Sequence, residues 1–288
     1  MSDLKTVLDT LTFHDDAGVQ QQLVDQLLKV KIRMARVRRK ILVLSGKGGV
    51  GKSAVTTQLA LALAREGKRV GIVDADLNGP CVPRMLGMGG ADLTLTMEGA
   101  EPPAGPLGIR VASMAFLLQR GVPIRWKGPM DLTPVWLGMM EASVIREFLS
   151  DIAWGELDVL LVDLPPGAAA DKPPTIANLV PELEGAMVVT TSSEVALEVV
   201  KKSIVYARDL GIRILGLVDN MSGTICRRCG HTVHPSGDQA ERLAAELGLR
   251  LCARVPFDAD LAQSLDSGIP LPEEHPVSRL FTDLARKL

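Results

Sequence analysis

Aromatic side chains are scarce. Three Trp, one Tyr and five Phe amount to 3% of 288 residues. Any core must therefore be aliphatic, and an apolar content of 47% is enough to fill a sizeable one. Excess charge is lacking too: 32 basic and 34 acidic residues leave a formal net charge of −2, with a pI of about 6.1. That balance argues against a chain whose whole surface binds nucleic acid. No apolar run approaches the roughly 18 residues that span a bilayer. The start, Met1-Ser2-Asp3-Leu4-Lys5, shows no basic region followed by an apolar run, so no secretory signal is read. These absences predict a cytoplasmic protein with no nucleic-acid or membrane partner. Cysteine is limited to Cys81, Cys226, Cys229 and Cys252, and only one pair is closely spaced. A reducing cytosol keeps such a pair as thiols. That points to metal or redox chemistry rather than a structural disulfide.

What is present centres on Gly46-Lys47-Gly48-Gly49-Val50-Gly51-Lys52-Ser53, which fits G-x-x-x-x-G-K-[ST], the phosphate-binding loop. Ile41-Leu42-Val43-Leu44 before it reads as a buried strand. Residues 53–65 after it read as a helix with Val55, Leu59, Leu61 and Ala62 on its apolar side. Backbone N–H groups of such a loop turn onto phosphate oxygens, and the helix N-terminus adds partial positive charge. Lys52 can reach the β- and γ-phosphates, and the Ser53 hydroxyl can ligate Mg²⁺. Lys47 is not needed by a simple loop of this type.

Further short apolar runs recur at residues 70–73, 159–162, 187–190 and 214–218, with helical stretches between them at 194–209 and 238–247. Strands alternating with helices predict an α/β, doubly wound, mainly parallel sheet with helices on both faces. One domain is expected over residues 37–288, preceded by an extension, 1–36. In the extension, residues 19–36 read as an amphipathic helix through Val19, Leu23, Leu27, Val30 and Met34. Its basic end, Lys29, Lys31, Arg33, Arg36, Arg38, Arg39 and Lys40, reads as a solvated face. Residues 87–108, rich in Gly and Pro, are expected to form a loop holding a hairpin or nothing regular. The stripe Val277, Leu280, Phe281, Leu284 and Leu288 reads as a last helix packed on the core.

In this architecture ligands bind beyond the carboxyl ends of the strands. One strand end carries Asp74-Ala75-Asp76. Asp74 is expected to support Mg²⁺ through its water shell and Asp76 to orient the attacking water, against the plainer reading of a turn cap. Asp163, followed by Leu164-Pro165-Pro166-Gly167, stands at the Walker B position and is expected to hold Mg²⁺. Asn220 offers a carboxamide suited to the adenine edge. Cys81 and Cys252 read as structural.

Together these blocks resemble the Mrp/ApbC family of ATP-binding iron–sulfur cluster carriers, in the deviant-Walker superfamily that includes MinD and ParA. The similarity runs from about Arg36 onward. It rests on residues 46–53, Asp74-Ala75-Asp76-Leu77-Asn78-Gly79-Pro80, Lys127-Gly128-Pro129-Met130, residues 163–167, Asn220-Met221-Ser222 followed by Cys226-Arg227-Arg228-Cys229, and Val255-Pro256-Phe257-Asp258. The resemblance implies a slow ATPase that works as a homodimer with ATP at the interface. It implies that Lys47 reaches the partner's nucleotide and so joins Lys52 and Asp76 in catalysis. It adds Pro256 to the nucleotide contacts, and a 4Fe-4S cluster bridging the subunits for delivery to apoproteins. The chain departs from the family pattern at Ala54, at Ala168-Ala169-Ala170 and at Ser192-Ser193.

On chemistry alone, Cys226 and Cys229 supply two thiolates, and a cluster normally takes four. A two-fold dimer would complete the set. Dimer-bridging zinc, a redox dithiol and no ligand role stay open for the pair; His231 and His234 follow too closely for a usual zinc finger. The alternative function is a MinD- or ParA-like positioning ATPase that switches membrane or partner binding.

Overall fold

The structure is a computed structural model that describes residues 16–117, 133–165, 179–225, 228–229, 231–233 and 237–288. Its first element is helix α1 (Asp16–Met34), followed by strand β1 (Val37–Ser45). The phosphate loop leads into α2 (Lys52–Arg65), then β2 (Val70–Asp74) and the short α3 (Val82–Met85). A hairpin, β3 (Thr94–Thr96) and β4 (Gly99–Glu101), precedes β5 (Arg110–Ser113). Then come α4 (Thr133–Ser150), β6 (Leu157–Asp163), β7 (Gly185–Thr190), α5 (Glu194–Asp209) and β8 (Ile214–Ile225). The rest is β9 (Thr232–Val233), α6 (Gln239–Glu246), β10 (Leu251–Phe257), α7 (Ala259–Ser267) and α8 (Pro276–Lys287).

Seven strands run parallel in the order β10-β8-β7-β1-β6-β2-β5, and β9 adds an antiparallel pairing to the end of β8. Alternation along β1 feeds two cores. Leu42 and Leu44 face α1, α4, α5 and α6 through Met34, Phe148, Val200 and Leu243. Ile41 and Val43 face α2, α7 and α8 through Leu59, Leu261 and Phe281. Helices therefore cover both faces, which is why the strands read as unbroken apolar runs. β1 lies between β6 and β7. Successive strands are laid down on one side of it and then on the other, so a crevice opens at its carboxyl end, where the phosphate loop begins.

Two expectations change, and one strand was not foreseen. β8 does not stop at Val218 but continues through Asn220 to Ile225, because β10 and then β9 pair along it. The basic run at the end of α1 is a solvated face only in part: Lys29, Lys31, Arg36 and Arg38 are exposed, but Arg33, Arg39 and Lys40 are engaged. Arg39 makes a two-pronged bond to Glu184 at 2.6 and 2.7 Å. Lys40 is buried and donates to the carbonyls of Met34 and Val37, both at 3.1 Å. Arg33 reaches the Ser150 carbonyl at 2.5 Å. Lys40 thus ties the end of α1 to the sheet, and Arg33 ties it to α4. β5, a four-residue edge strand, had no periodic signature. The final helix is as expected: Val277, Phe281 and Leu284 are buried. Among the described residues no helix is long and apolar enough to cross a membrane.

Candidate nucleotide site

The loop after β1 turns into α2 at Gly51, whose φ of 79° lies in the left-handed region. A Cβ there would also lie 2.1 Å from Asn220 Nδ2. At Gly46 the constraint is space alone: a Cβ would come within 2.8 Å of the Val200 backbone nitrogen in α5. Lys47, Gly48 and Gly49 form an exposed crest, while Val50 is buried and Lys52 nearly so.

Parallel pairing places Asp163 of β6 level with Asp74 of β2 and with Val43 of β1. Both carboxylates are wholly buried. The first turn of α2 holds Asp163 from three directions. Lys52 Nζ is 2.7 Å from Oδ1. Ser53 Oγ donates to Oδ2 at 2.5 Å, and Thr56 Oγ1 donates to Oδ1 at 2.7 Å. Asp74 receives Ser113 Oγ at 3.0 Å and the Val82 N–H at 3.3 Å on Oδ2. Its other oxygen, Oδ1, is buried without a partner. Burial, and then the neighbouring Asp163 charge, raise the Asp74 pKa from 3.8 to about 8.

Two buried acids, one with a carboxyl oxygen lacking a partner, and a hydroxyl make a set of hard oxygen donors. Such a set fits Mg²⁺, which prefers one or two carboxylates together with phosphate oxygens and water. A dication would favour the ionised form of Asp74 that burial, and then the Asp163 charge, disfavour.

Cys81, read as structural, is half-buried, and burial is the main cause of its raised thiol pKa. Thr56 and Ser113, which grip the two acids, had no motif to mark them. Thr56 lies one helical turn after Lys52, so its place in the octet's own helix was a usable signal.

Asp76 accepts the Gly79 N–H at 3.1 Å and is half-buried, so it caps its own turn. Asn220 donates from Nδ2 to the Val50 carbonyl at 2.8 Å, fastening β8 to the phosphate loop. β10 sets Val255 opposite Asn220, which brings Pro256 to the same sheet end. Ser192-Ser193, a departure from the family pattern, has a local use: Ser192 donates to Asp219 at 2.6 Å and Ser193 caps α5. Cys252 is half-buried, and its sulfur fills the space that a side chain at position 216 would need. Cys229 is exposed as a free thiol. Cys226, His234, Gly167, the stretch 168–170 and the block 127–130 lie outside the described residues.

The family model for ParA, described as NUBPL iron-transfer P-loop NTPase, matches residues 36–288. The iron-sulfur cluster carrier protein of Saccharolobus solfataricus is 44% identical over 275 residues, covering 94% of this chain and 89% of that protein. The human cytosolic Fe-S cluster assembly factor NUBP2 is 40% identical over 262 residues, covering 88% and 93%. Among solved structures, a nucleotide-binding protein from Archaeoglobus fulgidus in complex with ADP, with cobalt found, superposes at a TM-score of 0.72. It is 36% identical and covers 86% of this chain and 99% of its own. The cell division ATPase MinD of Pyrococcus furiosus, 23% identical with a TM-score of 0.57, shares the fold over 86% of this chain and 97% of its own.

Proposed function

The chain belongs to the ParA family of iron-transfer P-loop NTPases, and from that premise we propose that it is an ATP-dependent carrier of a labile 4Fe-4S cluster. Its nucleotide site is of the hydrolase kind. Gly46, Lys47, Gly48, Gly49, Val50, Gly51, Lys52 and Ser53 surround the phosphates, Ser53, Asp74 and Asp163 serve Mg²⁺, and Asn220 and Pro256 stand by the base. Lys47, exposed on the loop crest, is the cation that a second copy's nucleotide would receive in trans. Asp76 is the residue for the attacking water once its turn opens. Turnover is slow.

The observation that carries this reading is a single strand. β8 bonds the phosphate loop through Asn220 and runs on to Ile225. The next residue in the chain is Cys226, and Cys229 emerges exposed just beyond. A change in the loop's grip on nucleotide is thereby linked, along one backbone, to the thiols that hold the cargo. Two copies related by a two-fold axis supply the four thiolates a cluster takes. The cluster is substrate here: held between subunits, near solvent, and passed to apoproteins.

Anaerobic reconstitution with iron and sulfide tests the proposal. About four irons per dimer are expected, with visible absorbance that disappears in a Cys226→Ser/Cys229→Ser variant. Zinc alone on these thiols, or no cluster, overturns it.

A further inference from the structure

We propose that Thr56 is a positioning residue of the nucleotide site: its hydroxyl keeps the Asp163 carboxylate in place when Lys52 leaves that carboxylate for the phosphates. The inference rests on the nucleotide reading above and deepens it.

The groups assigned to the ligand are engaged with one another. Lys52 Nζ lies 2.7 Å from Asp163 Oδ1 and donates to Ser53 Oγ at 3.2 Å. Ser53 Oγ in turn donates to Asp163 Oδ2 at 2.5 Å. A lysine that reaches phosphate oxygens, and a hydroxyl that turns its oxygen to a cation, give up these bonds. Asp163 then loses two of the three side-chain partners it has among the described residues. The third is Thr56. It is wholly buried, and its Oγ1 lies 2.7 Å from Asp163 Oδ1 and 3.0 Å from the carbonyl of Lys52, one helical turn back.

A hydroxyl carries one proton and so serves one acceptor at a time. With the Lys52 ammonium on Oδ1, that proton is free for the carbonyl. With the ammonium gone, it turns to Oδ1, so the buried carboxylate keeps a donor. A buried acceptor left without one bears its full desolvation cost, and a charged one bears more. Thr56 holds Asp163 by Oδ1, and Oδ2, the oxygen that Ser53 releases, is left for the cation. The plainer view is that Thr56 bonds only its own helix, as threonine within a helix often does. That accounts for the 3.0 Å contact but not for the shorter one to Asp163 on β6.

The test compares Thr56→Val, which keeps the branched shape and removes the hydroxyl, with Thr56→Ser, which restores it. Thr56→Ala is a second hydroxyl-free variant should the valine protein not fold. Calorimetry on the full chain gives ADP affinity with Mg²⁺ and with a chelator, and the ratio of the two is the gain that Mg²⁺ brings. In Thr56→Val that ratio should fall about tenfold or more, the scale of a lost hydrogen bond to a charged group, and in Thr56→Ser it should stay within about threefold of the wild type. Loss of packing alone would lower both affinities alike and leave the ratio unchanged. An unchanged ratio in the hydroxyl-free variants, a fall that serine does not rescue, or a wild type whose ADP binding Mg²⁺ does not strengthen overturns the role of Thr56 and leaves the nucleotide reading standing. Failure of the wild type to bind ADP at all overturns both.

Discussion

Two lysines in one octet do different work because one is buried and one is not. Lys52 is 6% exposed and pairs with the wholly buried Asp163. Truncating it leaves two buried acids without a cation. Lys52→Ala should therefore weaken ADP binding and also destabilise the nucleotide-free protein, by about 3 kcal/mol. Lys47 is exposed, so Lys47→Ala should shift stability by no more than about 0.5 kcal/mol. It should retain ADP and lose ATP hydrolysis. Urea denaturation, calorimetry and phosphate release separate these effects, and an equal stability loss in both variants would contradict the assignment. Asp74 adds a pH signature. Its pKa is raised from 3.8 to about 8 in the folded protein. Between those values the folded chain keeps a proton that the unfolded chain has released, so its contribution to stability is fullest below the lower value. That contribution falls as pH rises through the window and is lost above the higher one. Without nucleotide, Asp74→Asn should gain stability relative to the wild type on going from acid to mildly alkaline solution. A gap between the two proteins that does not change with pH would show that Asp74 is ionised throughout. The acids and the lysines were legible in the sequence because the phosphate loop fixes their spacing or because an apolar strand ends on them. The contacts of Thr56 and Ser113 were not: Thr56 meets Asp163 from 107 positions away, and Ser113 meets Asp74 from 39.

Among the elements, α8 shows how an apolar stripe is best interpreted by what covers it. Val277, Phe281 and Leu284 lie against α2 and the sheet, with Phe281 1% exposed. This helix buttresses the one that carries Lys52, Ser53 and Thr56. Phe281→Ala should cost about 3 to 5 kcal/mol through the cavity it leaves. Chemical denaturation measures it, and a loss under 1 kcal/mol, about the scale of a surface change, would contradict the packing. The central strands and long helices were readable because burial on both faces makes unbroken apolar runs and 3.6-residue stripes. β5 was not, since Arg110-Val111-Ala112-Ser113 is too short for a period to appear. The extension of β8 was hidden for another reason. Asp219-Asn220 looks like a turn by composition, yet pairing with β10 across a register shift keeps it extended. That pairing is what places Asn220 on the loop and carries the strand onward towards the cysteines.

For the whole molecule, the doubly wound order concentrates chemistry on one edge. The phosphate loop, Asp74, Asp163, Asn220 and Pro256 arrive from β1, β2, β6, β8 and β10, all at or near the carboxyl ends of parallel strands. Strand order is not written in local periodicity; alternating strands and helices predicted only the doubly wound, mainly parallel class, which the fold bears out. β8 leads on from the same end, and the next residue in the chain is Cys226, so the proposed role would serve nucleotide and cargo from one strand. The proposed carrier role makes a demand that binding alone does not: the cluster must leave for a recipient without dissolving on the way. The most direct measurement loads the protein anaerobically and mixes it with an apoprotein whose activity needs a 4Fe-4S cluster, in the presence of excess iron chelator. The account predicts that the recipient regains activity from the wild type and not from Cys226→Ser/Cys229→Ser. Recovery abolished by the chelator, or a cluster that stays on the protein, would contradict it.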